Sequence, residues 1–211
     1  QRLRKPPNPM EEETTYAMTD IQDSTKLWEE LPNDVMATCM KLHHTCLYDA
    51  LKECHGYLSY TEGDAFFVAF HFAQDAVKWS LLVQERLLHL PWPKELLDHP
   101  TGAEVFERDQ VSFSEGDHLL FRGFRVRIGI HSGPAVSGVI GKSKFAFDVW
   151  GDTINTAARL ESNGEPGKIH LSQRTFDLLD KNSSFNVRSQ SISMKGKGVM
   201  QTILIGQAVR Q

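Results

Sequence analysis

The sequence lacks several features that would place it in a membrane, on nucleic acid or outside the cell. No apolar run approaches the roughly 20 residues that a transmembrane helix needs. The charged, proline-rich start QRLRKPPNPMEEE does not resemble a signal peptide. The net charge is −4, so the chain lacks the basic balance that is typical of nucleic-acid binding. We therefore expect a cytoplasmic, intracellular domain, standing alone or as the cytosolic part of a larger membrane or multidomain protein.

Cysteine is scarce as well. Cys39, Cys46 and Cys54 are the three cysteines, and all fall in one predicted helical stretch. An odd number so clustered argues against a disulfide framework, and the spacing fits no zinc site, so we expect buried small residues in a reducing compartment.

Because the chain does not begin with Met, we expect a fragment whose regulatory domains lie elsewhere in the protein.

What the sequence does contain is enough apolar residues, 40% of 211, for one substantial core. Strand-like and helix-like periodicities interleave, with hairpins among them. They predict an α+β fold with a ferredoxin-like split βαβ core, a central, mostly antiparallel sheet flanked by helices. The segments are a strand at 14–20, helices from 24 to 54 broken at Pro32, a hairpin at 56–70, a helix at 73–90, a strand at 121–133, a strand, glycine turn and helix at 145–162, and a late hairpin turning at 195–198.

Two stretches fall outside this pattern. Residues 1–12 read as a linker before a domain at 13–208. Residues 91–122 contain proline, glycine and many charges without a sustained period, which is long for a connection in a compact domain. We interpret them as an insertion on the surface.

Two acids are placed at turns. Asp20 ends the first strand and Asp64 lies in the turn of the 56–70 hairpin. Each alone is most simply a turn former. If the first strand runs beside the hairpin, the carboxylates face each other, and a divalent cation between them would relieve their repulsion. Mg²⁺ or Mn²⁺ accepts such a site, with waters and substrate phosphates completing the shell.

The turn after Asp20 has two interpretations. In the first, Asp23 or Ser24 serves only as the cap of the helix that follows. Alternatively, the backbone N–H groups of residues 21–25 hold a phosphate at the helix start, which involves Ile21, Gln22, Asp23, Ser24 and Thr25.

Amide and cationic side chains follow later in the chain. Asn155 and Arg159 lie four residues apart, on one face of a predicted helix. Arg159 is either a surface partner of a nearby acid or the ligand of an anion. Lys195 and Lys197 lie in a glycine-rich turn, where lysine is usually solvated. Combined with the acids, these residues describe a phosphoryl-transfer site.

Four ordered motifs carry a family resemblance. The stretches MTDIQDST (18–25), EGDAF (62–66), DVWGDTINTAARLES (148–162) and MKGKG (194–198) resemble the signatures of class III nucleotidyl cyclase catalytic domains. The start and the long segment after the second major helix look most like fungal and kinetoplastid adenylyl cyclases.

The resemblance implies a reaction and a division of roles. ATP would be cyclised to 3′,5′-cyclic AMP and pyrophosphate by a head-to-tail homodimer that shares its sites. Asp20, Asp64 and the Ile21 carbonyl would bind two Mg²⁺ or Mn²⁺ ions, and the amides up to Thr25 would hold phosphates. Asn155 would orient the ribose, Arg159 would stabilise the charge that develops, and Lys195, with Lys197 as the alternative, would bind the triphosphate.

The base-reading positions depart from the family pattern. Tyr60 stands where adenylyl cyclases carry Lys and guanylyl cyclases carry Glu, and Asp148 stands at the second position. Asp148 suits the amino group of adenine, whereas Tyr60 donates equally to adenine N1 or guanine O6, or simply packs. We expect ATP as substrate, with GTP as the alternative.

Two other classes of function remain as alternatives: a degenerate, regulatory cyclase half that binds nucleotide, and an unrelated metal-dependent phosphotransferase. Against the first, both metal acids and Asn155, Arg159 and Lys195 are present in one chain. Against the second, such an enzyme would not need WGDTINTAAR before KGKG.

Overall fold

The structure, a computed structural model, describes residues 6–107, 118–140, 146–180, 185–194 and 197–206, without the side chains of residues 137–140 and 146–150. The strands are β1 (Thr15–Ile21), β2 (Tyr57–Glu62), β3 (Ala65–Phe70), β4 (Val105–Glu107), β5 (His118–Phe121), β6 (Val126–Ser132), β7 (Val136–Ile140), β8 (Ala146–Trp150), β9 (Ile169–Ser172), β10 (Asn186–Met194) and β11 (Gly198–Gly206). The helices are α1 (Ser24–Glu30), α2 (Asn33–Glu53), α3 (Ala73–Leu88), α4 (Lys94–Asp98), α5 (Asp152–Ser162) and α6 (Gln173–Asp177).

The central sheet has seven strands in the order β10-β11-β9-β6-β1-β3-β2. Strand β1 pairs antiparallel with both β3 and β6, and β9 joins β6 in parallel. With α2 and α3 as crossovers, β1, β2, β3 and β6 follow the βαββαβ path of a ferredoxin-like unit. The predicted α+β class, with its split βαβ core and mostly antiparallel sheet, is confirmed.

Side chains of β1 alternate between two layers. Ala17 and Ile21 belong to the main hydrophobic cluster with α2 and α3. Tyr16 lies on the other side, in a smaller cluster with Ile154 and Ala157 of α5. Because strand side chains alternate with a period of two, Asp20 shares the α5 face with Tyr16.

Helix α5 lies directly on the backbone of β6. A Cβ added at Gly129 would come within 2.1 Å of the Glu161 amide nitrogen and 2.5 Å of the Ala157 carbonyl oxygen. Only a residue without a side chain permits this approach. The contact fixes how far α5, and every side chain on it, stands from the sheet.

The segment predicted as a surface insertion contributes to the core at the residues that the structure describes. Trp92 and Leu96 are 5% and 0% exposed and belong to the main cluster. The predicted strand at 121–133 is shorter than expected, because Gly123 adopts a left-handed φ of 80° against Trp92 and β6 begins only at Val126. Residues 108–117 lie outside the description.

The predicted linker also contacts the domain. The Pro9 carbonyl oxygen accepts a hydrogen bond from the Ala135 amide at 2.7 Å, and the exposed Glu12 pairs with Arg174 of α6. The domain boundaries at 13 and 208 remain predictions.

Histidine 43 is an unusual member of the core. It is 0% exposed, its ring lies 5.9 Å and 6.0 Å from the rings of Phe66 and Phe124, and neither ring nitrogen has a hydrogen-bond partner among the described residues. Burial, assisted by the neighbouring His44, lowers the pKa of His43 to about 3. The native state therefore holds this histidine in its neutral form.

The three cysteines are buried and unbridged, as predicted. Within the part of the chain that the structure describes, no helix combines the length and the apolar composition that crossing a bilayer requires.

Candidate active site

The two predicted metal acids meet at the end of β1. Because β3 pairs with β1, the turn between β2 and β3 lies beside the end of β1, where Asp20 is found. One carboxylate oxygen of Asp64 accepts a hydrogen bond from the Ile21 amide at 3.3 Å. The structure thus brings Asp20, Ile21 and Asp64 together. For Ile21 the observed contact is made by its amide.

The electrostatics of Asp20 are those of a carboxylate in a crowded anionic site. Burial raises the pKa of Asp20, and the nearby charge of Asp64 raises it further. Arg127 opposes both effects, because its terminal nitrogen donates to the Asp20 carboxylate at 2.6 Å. The positive charge of Arg127 therefore partly offsets the burial of Asp20 and its repulsion from Asp64.

Arg127 was not among the residues singled out from the sequence. It lies on β6 directly opposite Asp20, and its Nε atom donates to Glu161 of α5 at 2.9 Å. Its guanidinium therefore joins two carboxylates that come from different elements. The motif around Arg127 is an alternating strand pattern, which does not reveal which strand it will pair with or in what register.

The donor set fits a hard divalent cation. The described residues contain no cluster of three or more histidine, cysteine, aspartate or glutamate side chains suited to holding a metal. Asp20 and Asp64 supply two carboxylates, and their mutual repulsion is the kind of strain that a bound cation removes. Mg²⁺ and Mn²⁺ suit oxygen donors, and Mg²⁺ is typically bound by one or two carboxylates with waters and phosphates.

The predicted phosphate cradle is narrower than expected. The Ile21 amide donates to Asp64, and the Gln22 amide donates to the Arg125 carbonyl oxygen at 2.8 Å. The cradle therefore reduces to the amides of Asp23, Ser24 and Thr25 at the start of α1. Asp23 has a left-handed φ of 56°, and its side chain makes no capping hydrogen bond, so a simple side-chain cap does not explain this residue.

Helix α5 presents Asn155 and Arg159 away from the metal acids. The buried positions of α5 face the sheet, and they are Thr153, Ile154, Thr156, Ala157 and Leu160. At 100° per residue, Asn155 and Arg159 project from the opposite side of the helix, where Asn155 is exposed and Arg159 half-buried. These two side chains therefore share one face of α5, and it is not the face that packs on the sheet to which Asp20 belongs.

The late lysine hairpin lies beside the start of α5. Lys195, the predicted triphosphate ligand, lies outside the described residues. Lys197, the alternative, is described, and its ammonium pairs with Asp152, the first residue of α5. The β10–β11 turn and the Asn155 end of α5 therefore belong to one region of the surface.

The base-reading positions lie on neighbouring strands. Tyr60 is paired with Phe67 across β2 and β3, and their ring centroids are 5.0 Å apart. Strand β2 contacts β8, which carries Asp148 opposite Gly138 of β7. The Asp148 side chain lies outside the description. Tyr60 thus packs in the cluster of Tyr16 and Phe67, whatever its hydroxyl does in addition.

Known proteins share both the sequence and the fold. A family model, the adenylate and guanylate cyclase catalytic domain, matches residues 7–207. An adenylate cyclase of Podospora anserina is 34% identical over 198 residues, which is 85% of this chain and 9% of that protein. A receptor-type guanylate cyclase of Caenorhabditis elegans is 48% identical over 87 residues, which is 40% of this chain and 8% of that protein. The chain thus spans less than a tenth of these relatives.

A solved structure agrees with them. An adenylate cyclase from Trypanosoma brucei, in its monomeric state, superposes with a TM-score of 0.79 at 25% identity and covers 96% of this chain and 91% of its own. The predicted resemblance to fungal and kinetoplastid adenylyl cyclases is confirmed. Since the family model matches nearly the whole chain, this protein belongs to the adenylate and guanylate cyclase catalytic domain family.

Proposed function

We propose that this domain converts ATP to 3′,5′-cyclic AMP and pyrophosphate. The proposal rests on the meeting of Asp20 and Asp64 at the end of β1, where Arg127 of the neighbouring strand β6 donates a hydrogen bond to Asp20. In the reaction the ribose 3′-oxygen forms a bond to the α-phosphorus, the bond from that phosphorus to the bridging oxygen breaks, and the hydroxyl proton leaves to solvent.

The acids hold the metals. Asp20 and Asp64, with the Ile21 carbonyl, would hold two Mg²⁺ or Mn²⁺ ions, in keeping with the general use of divalent metals by this family. Bound there, the ions supply Lewis acidity toward the 3′-hydroxyl and the phosphates. The amides of Asp23, Ser24 and Thr25 hold phosphate oxygens through N–H donors, as amides at a helix start do.

The second half of the site positions the substrate. Asn155 orients the ribose, and Arg159 stabilises negative charge on the α-phosphate and the leaving pyrophosphate. Lys195 binds the triphosphate, with Lys197 as the alternative. Because Lys197 is already paired with Asp152, Lys195 is the better candidate of the two.

The site is completed by a second copy of the chain. Asn155 and Arg159 lie on the side of α5 that faces away from its own sheet, so they do not reach the triphosphate held by their own Asp20. A head-to-tail homodimer provides both halves twice. The partner's Arg159 then faces this chain's metals, and the reverse holds at the other site.

ATP is the favoured nucleotide. Asp148 accepts a hydrogen bond from the adenine amino group, and the fungal relative that matches most of the chain is named an adenylate cyclase. GTP is the second candidate, because Tyr60 carries no charge that discriminates and a guanylate cyclase is 48% identical over part of the chain. The three unbridged cysteines and a nucleotide substrate favour an intracellular location. A chain that matches 9% of its Podospora relative also fits a longer protein that carries regulatory domains.

The test is a product assay. The purified domain is incubated with Mn²⁺ and either ATP or GTP, and the cyclic products are separated by chromatography. We expect cyclic AMP as the main product, with Asp20→Asn and Asp64→Asn as inactive controls that exclude a contaminant. Cyclic GMP as the main product would support the guanylyl alternative. Nucleotide binding without either product would support the regulatory half.

A further inference from the structure

Arg127 is held at both ends of its guanidinium. Its terminal nitrogen donates to Asp20 at 2.6 Å and its Nε donates to Glu161 at 2.9 Å. The side chains of Arg127 and Asp20 are 26% and 31% exposed, and that of Glu161 is 13% exposed. The two ion pairs of Arg127, with Asp20 and with Glu161, are therefore partly buried. Solvent and salt screen such pairs less than pairs on an open surface.

A metal changes this arrangement, because Asp20 has two uses. In the proposed function Asp20 binds divalent cations, yet in the structure it is the partner of Arg127. If a metal ion binds the Asp20 carboxylate, both the metal ion and Arg127 depend on that one acid. A half-buried guanidinium left without a partner is costly, so the metal must compete against Arg127 unless another anion holds it.

Glu161 is placed to be that anion. Its backbone nitrogen lies only 2.1 Å from the place that a Cβ of Gly129 would take, so the backbone of α5 at Glu161 lies directly against β6. Burial raises the pKa of Glu161, and Arg127 counters this, which is the balance of a carboxylate that depends on its cation. The negative charges of Asp20 and Asp64 also raise the pKa of Glu161, so the three carboxylates interact electrostatically.

We infer that Glu161 is a positioning residue for metal binding. When a divalent cation binds Asp20, Arg127 loses its hydrogen bond to Asp20 but keeps the one from its Nε to Glu161, so the guanidinium does not become unpaired. This inference rests on the proposed function, since it takes Asp20 as a metal ligand. Glu161 itself touches neither metal nor substrate. The freed N–H groups of Arg127 are then available to an anionic group beside the metals.

A double-mutant cycle on Mn²⁺ binding tests this role. The variants are Glu161→Gln, Arg127→Gln and the double variant, and the Mn²⁺ dissociation constant is measured by electron paramagnetic resonance without nucleotide. We expect Glu161→Gln to raise that constant about tenfold, because Arg127 then depends on Asp20 alone. In the Arg127→Gln background the same change should have less than about a threefold effect, since no guanidinium remains to be held.

Matched variants separate this role from a loss of charge or of fold. Glu165→Gln removes the same charge from an exposed pair with Arg188 and should leave Mn²⁺ binding unchanged. Glu161→Asp keeps the charge and should restore part of the affinity. Metal-free melting curves check folding. If Glu161→Gln does not fold, Glu161→Met, which fills similar space, carries the same cycle.

The outcomes decide the inference separately from the proposed reaction. An equal loss of Mn²⁺ affinity from Glu161→Gln in both backgrounds would mean that Glu161 acts by its own charge, and wild-type affinity would mean that it has no role. Either result overturns the inference. Because the readout needs no turnover, a domain without cyclase activity does not affect it. If the product assay finds no cyclic nucleotide while the double-mutant cycle gives the expected Mn²⁺ affinities, only the proposed function is overturned.

Discussion

At the scale of single residues, Tyr60 is the position at which the proposed choice of purine can be tested. Its ring packs on Phe67 in the strand beside β8, where Asp148 lies. Replacing it by Lys places a cation near adenine N1, and a charged hydrogen bond exceeds a neutral one by about 1 kcal/mol. We expect Tyr60→Lys to raise the ratio of kcat/KM for ATP over GTP about fivefold. Competition kinetics with both nucleotides measures the ratio.

The control for Tyr60→Lys is Thr61→Lys, an exposed neighbour on the same strand. It adds the same charge and should leave the ratio unchanged. If both variants shift the ratio alike, general electrostatics and not base reading explains the effect.

His43 predicts a pH dependence of stability. The folded state keeps its pKa near 3, so between pH 6.5 and 3 the unfolded chain binds a proton that the native state does not. The free energy of unfolding therefore rises with pH across this window, by up to about 1.4 kcal/mol per pH unit from this residue. Below pH 6.5 that contribution is lost progressively as the pH falls.

We expect His43→Leu to flatten the slope of urea-unfolding free energy against pH between 4 and 6, because the titrating group is gone. The exposed His71→Gln is the control and should leave the slope as it is. An unchanged slope in His43→Leu would show that other groups account for acid unfolding.

Individual site residues differ in how far the sequence predicts them. Asp20 and Asp64 are recognisable because one lies at the end of a strand and the other in a hairpin turn, and such positions follow from local pattern. Arg127 and Glu161 are not, because their meeting depends on the register of β1 with β6 and on the contact of α5 with Gly129. Strand register and helix–sheet contacts join residues far apart in the chain, so the local periodicity of the sequence does not predict them.

At the scale of elements, the close approach of α5 to Gly129 sets how far the α5 side chains stand from the sheet. Gly129→Ala would place a methyl group against the backbone of Ala157 and Glu161, and relief requires α5 to shift. Overpacking of this kind costs about 1–3 kcal/mol. We expect a lower melting temperature together with at least a tenfold loss of kcat/KM at temperatures where the variant is folded.

Ser162→Ala is the matched control for Gly129→Ala, since it alters the exposed face of the same helix. It should keep both stability and activity. A Gly129→Ala protein that is destabilised but fully active when folded would show that the position of α5 has no bearing on catalysis.

The helices and hairpins are largely predictable because apolar periodicity reports burial directly. The break at Pro32 and the hairpin around Gly63 are confirmed. The segment at 91–122 is less predictable, since Trp92 stands between two prolines and Leu96 and Leu97 form a short apolar pair among charges. Their burial comes from packing against Phe124 and the main core, and it leaves no period in the sequence.

At the scale of the whole molecule, the separation of the two half-sites predicts complementation. Asp64→Asn alone should be inactive and Arg159→Ala severely slowed, because each lesion affects both sites of its own homodimer. Mixing the two folded variants forms mixed dimers with one intact site. With random pairing the recovered activity should approach about a quarter of wild type for a two-fold dimer, measured as cyclic product per total chain.

Chain exchange in this mixture is followed independently by energy transfer between labelled copies. Absence of recovery while exchange proceeds would place the whole site within one chain, and the shared-site arrangement would be abandoned. Mixing Asp64→Asn with Asp20→Asn is the control, because both lesions then lie in the same half and no site is restored.

In the proposed shared-site homodimer, the outward orientation of Asn155 and Arg159 would also set the kinetic order of the enzyme in its own concentration. In that arrangement a lone chain carries two incomplete halves, so at low chain concentration the total rate is expected to grow with the square of the concentration rather than in proportion to it. Any flanking segment that tethers two copies raises their effective concentration and moves the enzyme from the quadratic to the linear regime. Output is then controlled by the geometry of a tether, with every catalytic side chain left as it is.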